Sequence, residues 1–386
     1  MGIKMKALLA AVTIAFLLVT LGAGLKVTQA QTLTITLNPD GSVAPASSAI
    51  QMKGNTYVVT ENLNCSICIK KGNIVLDGAN HTLQEPGSRK SSIAITLMAS
   101  NVTVTGFHIS GWKAGVYGAY NNNTITNNVF INNHQAVAIY ASNYVVSKNS
   151  ISDSNIAILI NSGAQQPQGD VNHIIHNQLF NNNWAFDISD SNGTTITRNN
   201  VIDNTVILTL GTLKANATIA GAHMFYLNKF VNNTQVLHVP FWGPFVSSAV
   251  TISPAGRWDN GSIGNYWSDY YSKYPNASEI DHLGIGDTPY SITEIVPWSI
   301  DSQEGSHLEG TTVLGIAADN YPILTPIDNS NDATQLSPSP LASSVSTSRP
   351  SHEIELSSLI ILFLFVFGSV LVTGIYRRKK LLQCNI

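Results

Sequence analysis

Residues 122–133 read NNTITNNVFINN, half of them asparagine, with Ile125, Val129, Phe130 and Ile131 set between. Asparagine is depleted in strands and rare in cores, whereas those four residues favour both. The interleaving recurs along the chain. The pattern apolar-x-x-Asn-x-apolar appears as Ile125/Asn128/Phe130, Val146/Asn149/Ile151, Ile174/Asn177/Leu179, Ile196/Asn199/Val201 and Phe225/Asn228/Phe230. Val104/Phe107/Ile109 fits with Phe in the Asn position, and the steps along the central column are 21, 21, 28, 22 and 29 residues. A second column keeps the same register: Gly115-Val116, Ala136-Val137, Ala157-Ile158, Ala185-Phe186, Ile207-Leu208 and Val236-Leu237.

A repeat near 21 residues, with short strands and no helical periodicity, predicts an all-β chain folded as a parallel β-helix. Leucine-rich repeats share the period but need leucine at fixed spacing, which is missing. Coils stack at the strand spacing of about 4.8 Å. Asn128, Asn149, Asn177, Asn199 and Asn228 are therefore expected to form one structural turn column. There they would tolerate left-handed backbone and bond their equivalents above and below. The longer steps mark insertions, chiefly residues 163–170 and 213–221. Column alignment places one after the second column and the other between that column and the next Asn turn. Brought to one flank, they would wall a groove with the outward residues Tyr117 and Asp187 between them.

Both ends differ from the body. Lys4 and Lys6 precede an apolar run and then VTQAQT, which predicts a signal peptide over 1–30. Residues 356–376 are uncharged and RRKK follows at 377–380, which predicts a transmembrane helix at the C-terminus. Between body and span, 328–355 is rich in Ser, Thr and Pro and reads as a stalk. The expected order is signal peptide 1–30, β cap and first coil 32–72, repeats 73–240, aromatic-rich cap 241–327, stalk 328–355, span 356–376 and cytoplasmic tail 377–386. The body would then face outward at the cell surface. Nine N-x-[ST] sequons are glycosylation candidates there: Asn64, Asn80, Asn101, Asn122, Asn192, Asn216, Asn232, Asn260 and Asn276.

Charge excludes one class of partner. Only 11% of residues are charged, the net charge is −3, and no basic cluster lies outside the last ten residues. Nucleic acid is not an expected partner. A glycosidase needs converging carboxylates. The aspartates of the repeat block, Asp153, Asp170, Asp187, Asp190 and Asp203, read as solvated turn charges. Cys65 and Cys68 are the paired cysteines of the exported part, and a local disulfide is the expected state, with free thiols or a metal pair as alternatives. Trp258, Tyr266, Trp267, Tyr270, Tyr271 and Tyr274 follow the last coil. Burial as a cap is the first expectation for them. Exposed members, with Trp258 and Trp267 as candidates beside Tyr117 and Asp187, would stack on sugar rings.

The opening ITLNPDGSVAPASSAIQMKGNTYVVTENL, the following NIVLDGANHTL and the ending GNYWSDY…GIGDTPYSI…DNYPIL resemble archaeal cell-surface proteins with NosD-type repeats. These belong to the pectin-lyase-like fold and to the carbohydrate-binding and sugar-hydrolase domain group. The resemblance covers 32–327 and implies a right-handed parallel β-helix at the cell surface. It implies little chemistry, since such a fold hosts enzymes, binders and spacers alike. Relatives carry an acidic stretch before GIGDTPY that looks like a calcium loop. Here Glu279, Asp281 and Asp287 remain, but His282 and Leu283 replace oxygen ligands, and a turn built on Gly284 and Gly286 is favoured. The NosD label also implies copper. Its candidate ligands are His81, His108, His134, His173, His176, His223, His238, Met52, Met98, Met224, Cys65 and Cys68. His108, His134, His176 and His238 fall in four different columns of the repeat, so no cofactor is expected. The expected function is a membrane-anchored, non-catalytic module binding glycans or other envelope proteins. A polysaccharide hydrolase or lyase and a NosD-like copper binder are the alternatives.

Overall fold

A computed structural model describes residues 34–87, 92–161, 171–189, 193–210, 223–238, 256–280, 282–301 and 307–329. All of them fall in one compact unit, Met1–Leu336. The expected signal peptide, span and tail lie outside the described residues, and so does the expected stalk beyond Asn329. Asn329 itself is buried and donates to Asn200 Oδ1 at 3.3 Å, so the body runs past the expected boundary at 327. Among the described residues no helix is long and apolar enough to cross a membrane.

The chain winds as a parallel β-helix. Each coil contributes one short strand to each of three stacked sheets of ten, eight and nine strands. One full coil runs Thr124–Thr126 in the nine-stranded sheet, Val129–Ile131 in the eight-stranded sheet and Gln135–Ile139 in the ten-stranded sheet. The next coil repeats this one rung higher, with Ile125 opposite Val146, Phe130 opposite Ile151 and Val137 opposite Ile158. Inward residues of all three sheets form one continuous apolar core.

Asparagine makes the corners. Asn128, Asn149, Asn177, Asn199 and Asn228 are all fully buried. Each accepts the backbone N–H of the member one coil below, at 2.9–3.0 Å, and the column ends by handing Asn228 N–H to Asn265 at 3.1 Å. Each Nδ2 in turn donates to the next Oδ1 at 3.0–3.1 Å. A sharp corner leaves backbone groups that no sheet ladder can reach, and the asparagine amide supplies both partners for them. A second ladder runs through Asn133, Ser154, Asn182, Asn204 and Asn233 at the next corner.

The left-handed backbone lies one residue earlier than expected. It falls on Asn127, Lys148, His176, Arg198 and Leu227, with φ between 54° and 58°. The ladder asparagines are therefore selected for their amides, and the residue before them turns the chain. Leu227 has no side-chain group to offset the cost of that conformation, about 1–2 kcal/mol. Leu227→Asn is expected to stabilise the fold by about 1 kcal/mol, read as a raised denaturation midpoint. A lowered midpoint would mean that the half-buried leucine packing outweighs backbone strain.

The insertions also differ from expectation. Residues 163–170 follow Ile156–Ile160 and precede His173–Ile175, and 213–221 follow Val206–Leu210 and precede Met224–Tyr226. The inserted residues lie outside the described residues, but in sequence both fall between a strand of the ten-stranded sheet and the next strand of the nine-stranded sheet. Parallel pairing also continues beyond residue 240, because Tyr266–Trp267 adds to Lys229–Val231. An antiparallel hairpin, Tyr290–Asp301 with His307–Asp319, follows.

Candidate functional site

The outer face of the ten-stranded sheet carries the densest non-structural chemistry. Its core-facing residues Val116, Val137, Ile158, Phe186, Leu208 and Leu237 stand in register. The residue after each therefore points outward: Tyr117, Ala138, Leu159, Asp187, Thr209 and His238. A second outward column holds Gln135, Ile156, Trp184, Val206 and Gln235. Ala138, Ile156 and Leu159 form an apolar cluster separate from the main core, with Tyr117 and Trp184 packed on it.

Aromatic rings edge this floor. Tyr117 and Tyr140 lie 5.1 Å apart between centroids, and Trp184 lies 6.5 Å from His238. Tyr140 is 38% exposed. The polar part of the floor is Asp187 and Thr209 on adjacent rungs. Burial pushes the Asp187 carboxyl above the usual carboxylate range, and its hydrogen bond from Ser189 Oγ, at 3.2 Å, opposes that only in part. Thr209 is 1% exposed and its hydroxyl has no partner. The rungs beside Asp187 hold Leu159 and Thr209, neither of them a carboxylate. Asp190 lies outside the described residues.

Two of the four proposed sugar-contacting residues are thus on this face, Tyr117 and Asp187. The other two are not available to a ligand. Trp258 is fully buried, stacked on Phe225 with centroids 4.3 Å apart. Trp267 is 3% exposed, stacked on Tyr290 at 4.0 Å, and donates Nε1–H to Asp319. The open end of a solenoid must be covered, and these rings cover it. Tyr140, Trp184 and Thr209 were missed by sequence reasoning. Trp184 and Thr209 could have been found by carrying the outward column's register across every coil.

The C-terminal motifs that carried the resemblance, GNYWSDY, GIGDTPYSI and DNYPIL, also belong to the cap. Asp319 accepts from the N–H of Asn265 and Tyr321, and Tyr290 donates its hydroxyl to Asp269. The Tyr270 hydroxyl donates to Thr288 O at 2.8 Å. Gly264 and Gly286 are glycine because an added Cβ would meet Asp319 Oδ1 and the Tyr270 hydroxyl. Of the calcium candidates, Glu279 accepts the N–H of Gly284 and Asp287 accepts the N–H of Ser278, so both brace a turn. Asp281 lies outside the described residues.

The cysteines are unbonded. Cys65 is buried, whereas Cys68 lies at an outward position of Ser66–Ile69 and pairs in register with Thr36 and Thr96. Cys65 precedes that strand and its side chain is buried, so the two side chains face different sides. The copper candidates are equally spread. His223 Nδ1 accepts Thr194 N–H at 3.3 Å and serves as a corner residue. His173 and Met224 share a column, but Thr195 stands between them. Among the described residues no three His, Cys, Asp or Glu side chains are grouped to hold a metal ion. Of the sequons, Asn64, Asn80, Asn101, Asn122, Asn232, Asn260 and Asn276 are exposed, and Asn192 and Asn216 lie outside the described residues.

A family model described as "Periplasmic copper-binding protein (NosD)" matches residues 48–272, more than half of the chain. The chain belongs to the NosD family. No curated protein matches it. The NosD match begins in the N-terminal cap and ends past Trp267, so it takes in the asparagine and serine members of both ladders and the ten-stranded sheet from Ser66–Ile69 onward, leaving out its first strands Thr34–Leu37 and Val43–Ala44.

Proposed function

We propose that this NosD-family chain is a non-catalytic module of the cell surface that binds glycans along the outer face of its ten-stranded sheet. The observation that carries the reading is the juxtaposition of Tyr117, Tyr140 and Trp184 with the polar floor of Asp187 and Thr209. Flat rings stack on the apolar faces of sugars, and a few convergent polar groups fix orientation. Hydrolysis would need a second carboxylate about 5–9.5 Å away, and among the described residues the rungs on either side of Asp187 hold Leu159 and Thr209. A surface location follows from the family's periplasmic description together with the expected signal peptide and span. The family description names copper. The described donors do not fit it, because their columns keep them apart and His223 already serves a corner.

The test is a glycan array probed with the purified full-length chain, with a copper titration alongside. Binding to oligosaccharides without release of reducing ends supports the reading. Bond cleavage would make the chain an enzyme, and a saturable one-to-one copper stabilisation without glycan binding would favour the metal. Deleting 164–169, which follow Ile156–Ile160 of this sheet in sequence, is expected to weaken glycan binding several-fold and leave Tm nearly unchanged, since loop length on a solenoid flank costs little. Unchanged binding would place the groove elsewhere.

A further inference from the structure

The polar floor of this face has an unusual composition. Asp187 is 9% exposed and takes one hydrogen bond, from Ser189 Oγ. No positive side chain among the described residues offsets its charge; burial is the larger influence on it and the Ser189 hydroxyl the smaller. One rung on, at about 4.8 Å, the Thr209 hydroxyl is buried without a partner. A buried carboxylate is usually paired, and a buried hydroxyl is usually bonded. Both deficits sit side by side on the same outward column.

One chemical group meets both. A primary ammonium carries a positive charge and three N–H donors. The acceptors on this stretch of the face are also three: a carboxylate oxygen of Asp187, Thr209 Oγ1 one rung on, and the free lone pair of Ser189 Oγ, which already touches Asp187. Aromatic rings flank them, with Trp184 on the same coil as Asp187 and Tyr140 close enough for its hydroxyl to feel the Asp187 charge. Such rings attract cations through their faces and also stack on pyranose rings. A lysine side chain would satisfy the acceptors but has no flat face for Trp184 and Tyr140. An uncharged sugar would use the rings but leave the carboxylate unpaired.

We infer that the preferred ligand is a glycan bearing a free amine, its ammonium seated on Asp187, Thr209 and Ser189 with the sugar ring against Trp184. This rests on the glycan-binding reading above and narrows it to amino sugars that are not acetylated.

The experiment compares three tetrasaccharides on the full-length chain by calorimetry at low salt: a β-1,4-glucosamine tetramer, its fully N-acetylated counterpart and the β-1,4-glucose tetramer. The free-amine tetramer is expected to bind at least tenfold more tightly than the other two. D187N, which keeps the shape and the Ser189 contact, is expected to erase that preference. T209V, close in volume, should reduce it several-fold and supplies an independent reading should D187N fold poorly. W184A should weaken all three ligands together. Equal affinities for the free-amine and acetylated tetramers overturn the inference while leaving the glycan reading intact. So does a preference that survives both D187N and T209V. Failure of all three ligands to bind overturns both.

Discussion

Asn177→Ala is expected to destabilise the chain by about 4 kcal/mol, a larger loss than any surface change in the same coil. The side chain is fully buried. Its oxygen accepts Asn149 N–H and Asn149 Nδ2, both at 3.0 Å. Its nitrogen donates to Val146 O, Ile175 O and Asn199 Oδ1. Alanine removes all five bonds and fills none of their partners. Each buried group left unsatisfied costs about 1–3 kcal/mol, so two orphaned groups suffice for the expected loss. Because each coil contacts only its neighbours, the break also divides the stack. Chemical denaturation of the variant should show either a lower midpoint or two separate transitions. Asn183→Ala one corner away is the control. Asn183 is exposed and bonds only Asn155, at 3.2 Å, so the expected change is within about 0.5 kcal/mol. Equal losses in the two variants would mean that the ladder does not hold the coils.

The same ladder shows how much of the fold was legible in the residue order. A column of asparagines flanked by apolar residues at a fixed step reports stacking directly, because stacked coils must present equivalent residues at equivalent corners. Which residue takes the left-handed turn was not legible. Lys148, Arg198 and Leu227 carry it, and no side-chain signal marks a lysine or leucine as a turn former. The turn shared by the two insertions was misread for a related reason. Column alignment sees periodic positions, whereas the strand ends at Ile160 and Leu210 that define the turn are set by pairing with neighbouring coils. On the candidate site, Tyr117 and Asp187 were legible because they share a register. Trp258 and Trp267 were misassigned because their burial depends on a partner far along the chain. Trp267 bonds a carboxylate 52 residues away, and no local pattern announces that contact. Spacing alone suggested the cysteine link, whereas Cys65 is buried just before Ser66–Ile69 and Cys68 lies on that strand's outward side.

Stability is expected to fall as pH rises from about 4 to about 7, and Asp319→Asn is expected to remove most of that slope. Asp319 ends the first asparagine ladder. It is fully buried and accepts Asn265 N–H at 2.7 Å, Trp267 Nε1–H at 2.9 Å and Tyr321 N–H at 3.1 Å. Burial is the larger influence on its carboxyl and pushes it up to about 7, against the opposing pull of those donors. The folded chain therefore holds a proton that the unfolded chain, with an ordinary carboxyl near 3.8, releases earlier. Stabilisation from this group is complete below the unfolded value. It declines as pH rises toward the folded value, and no further loss comes from it above that. The slope of one proton is at most about 1.4 kcal/mol per pH unit. Asp187, also raised by burial, adds a slope of the same sign, so D187N serves as the parallel comparison. Asparagine at 319 keeps an oxygen for Asn265 and Trp267 but turns an N–H₂ toward Tyr321 N–H, so the variant is expected to be less stable at every pH while nearly flat across the window. Denaturant midpoints at half-unit steps between pH 4 and 8 would measure both effects. A wild-type profile that is flat, or that rises with pH, would show that the donors around Asp319 outweigh its burial and hold it ionised at the end of the ladder.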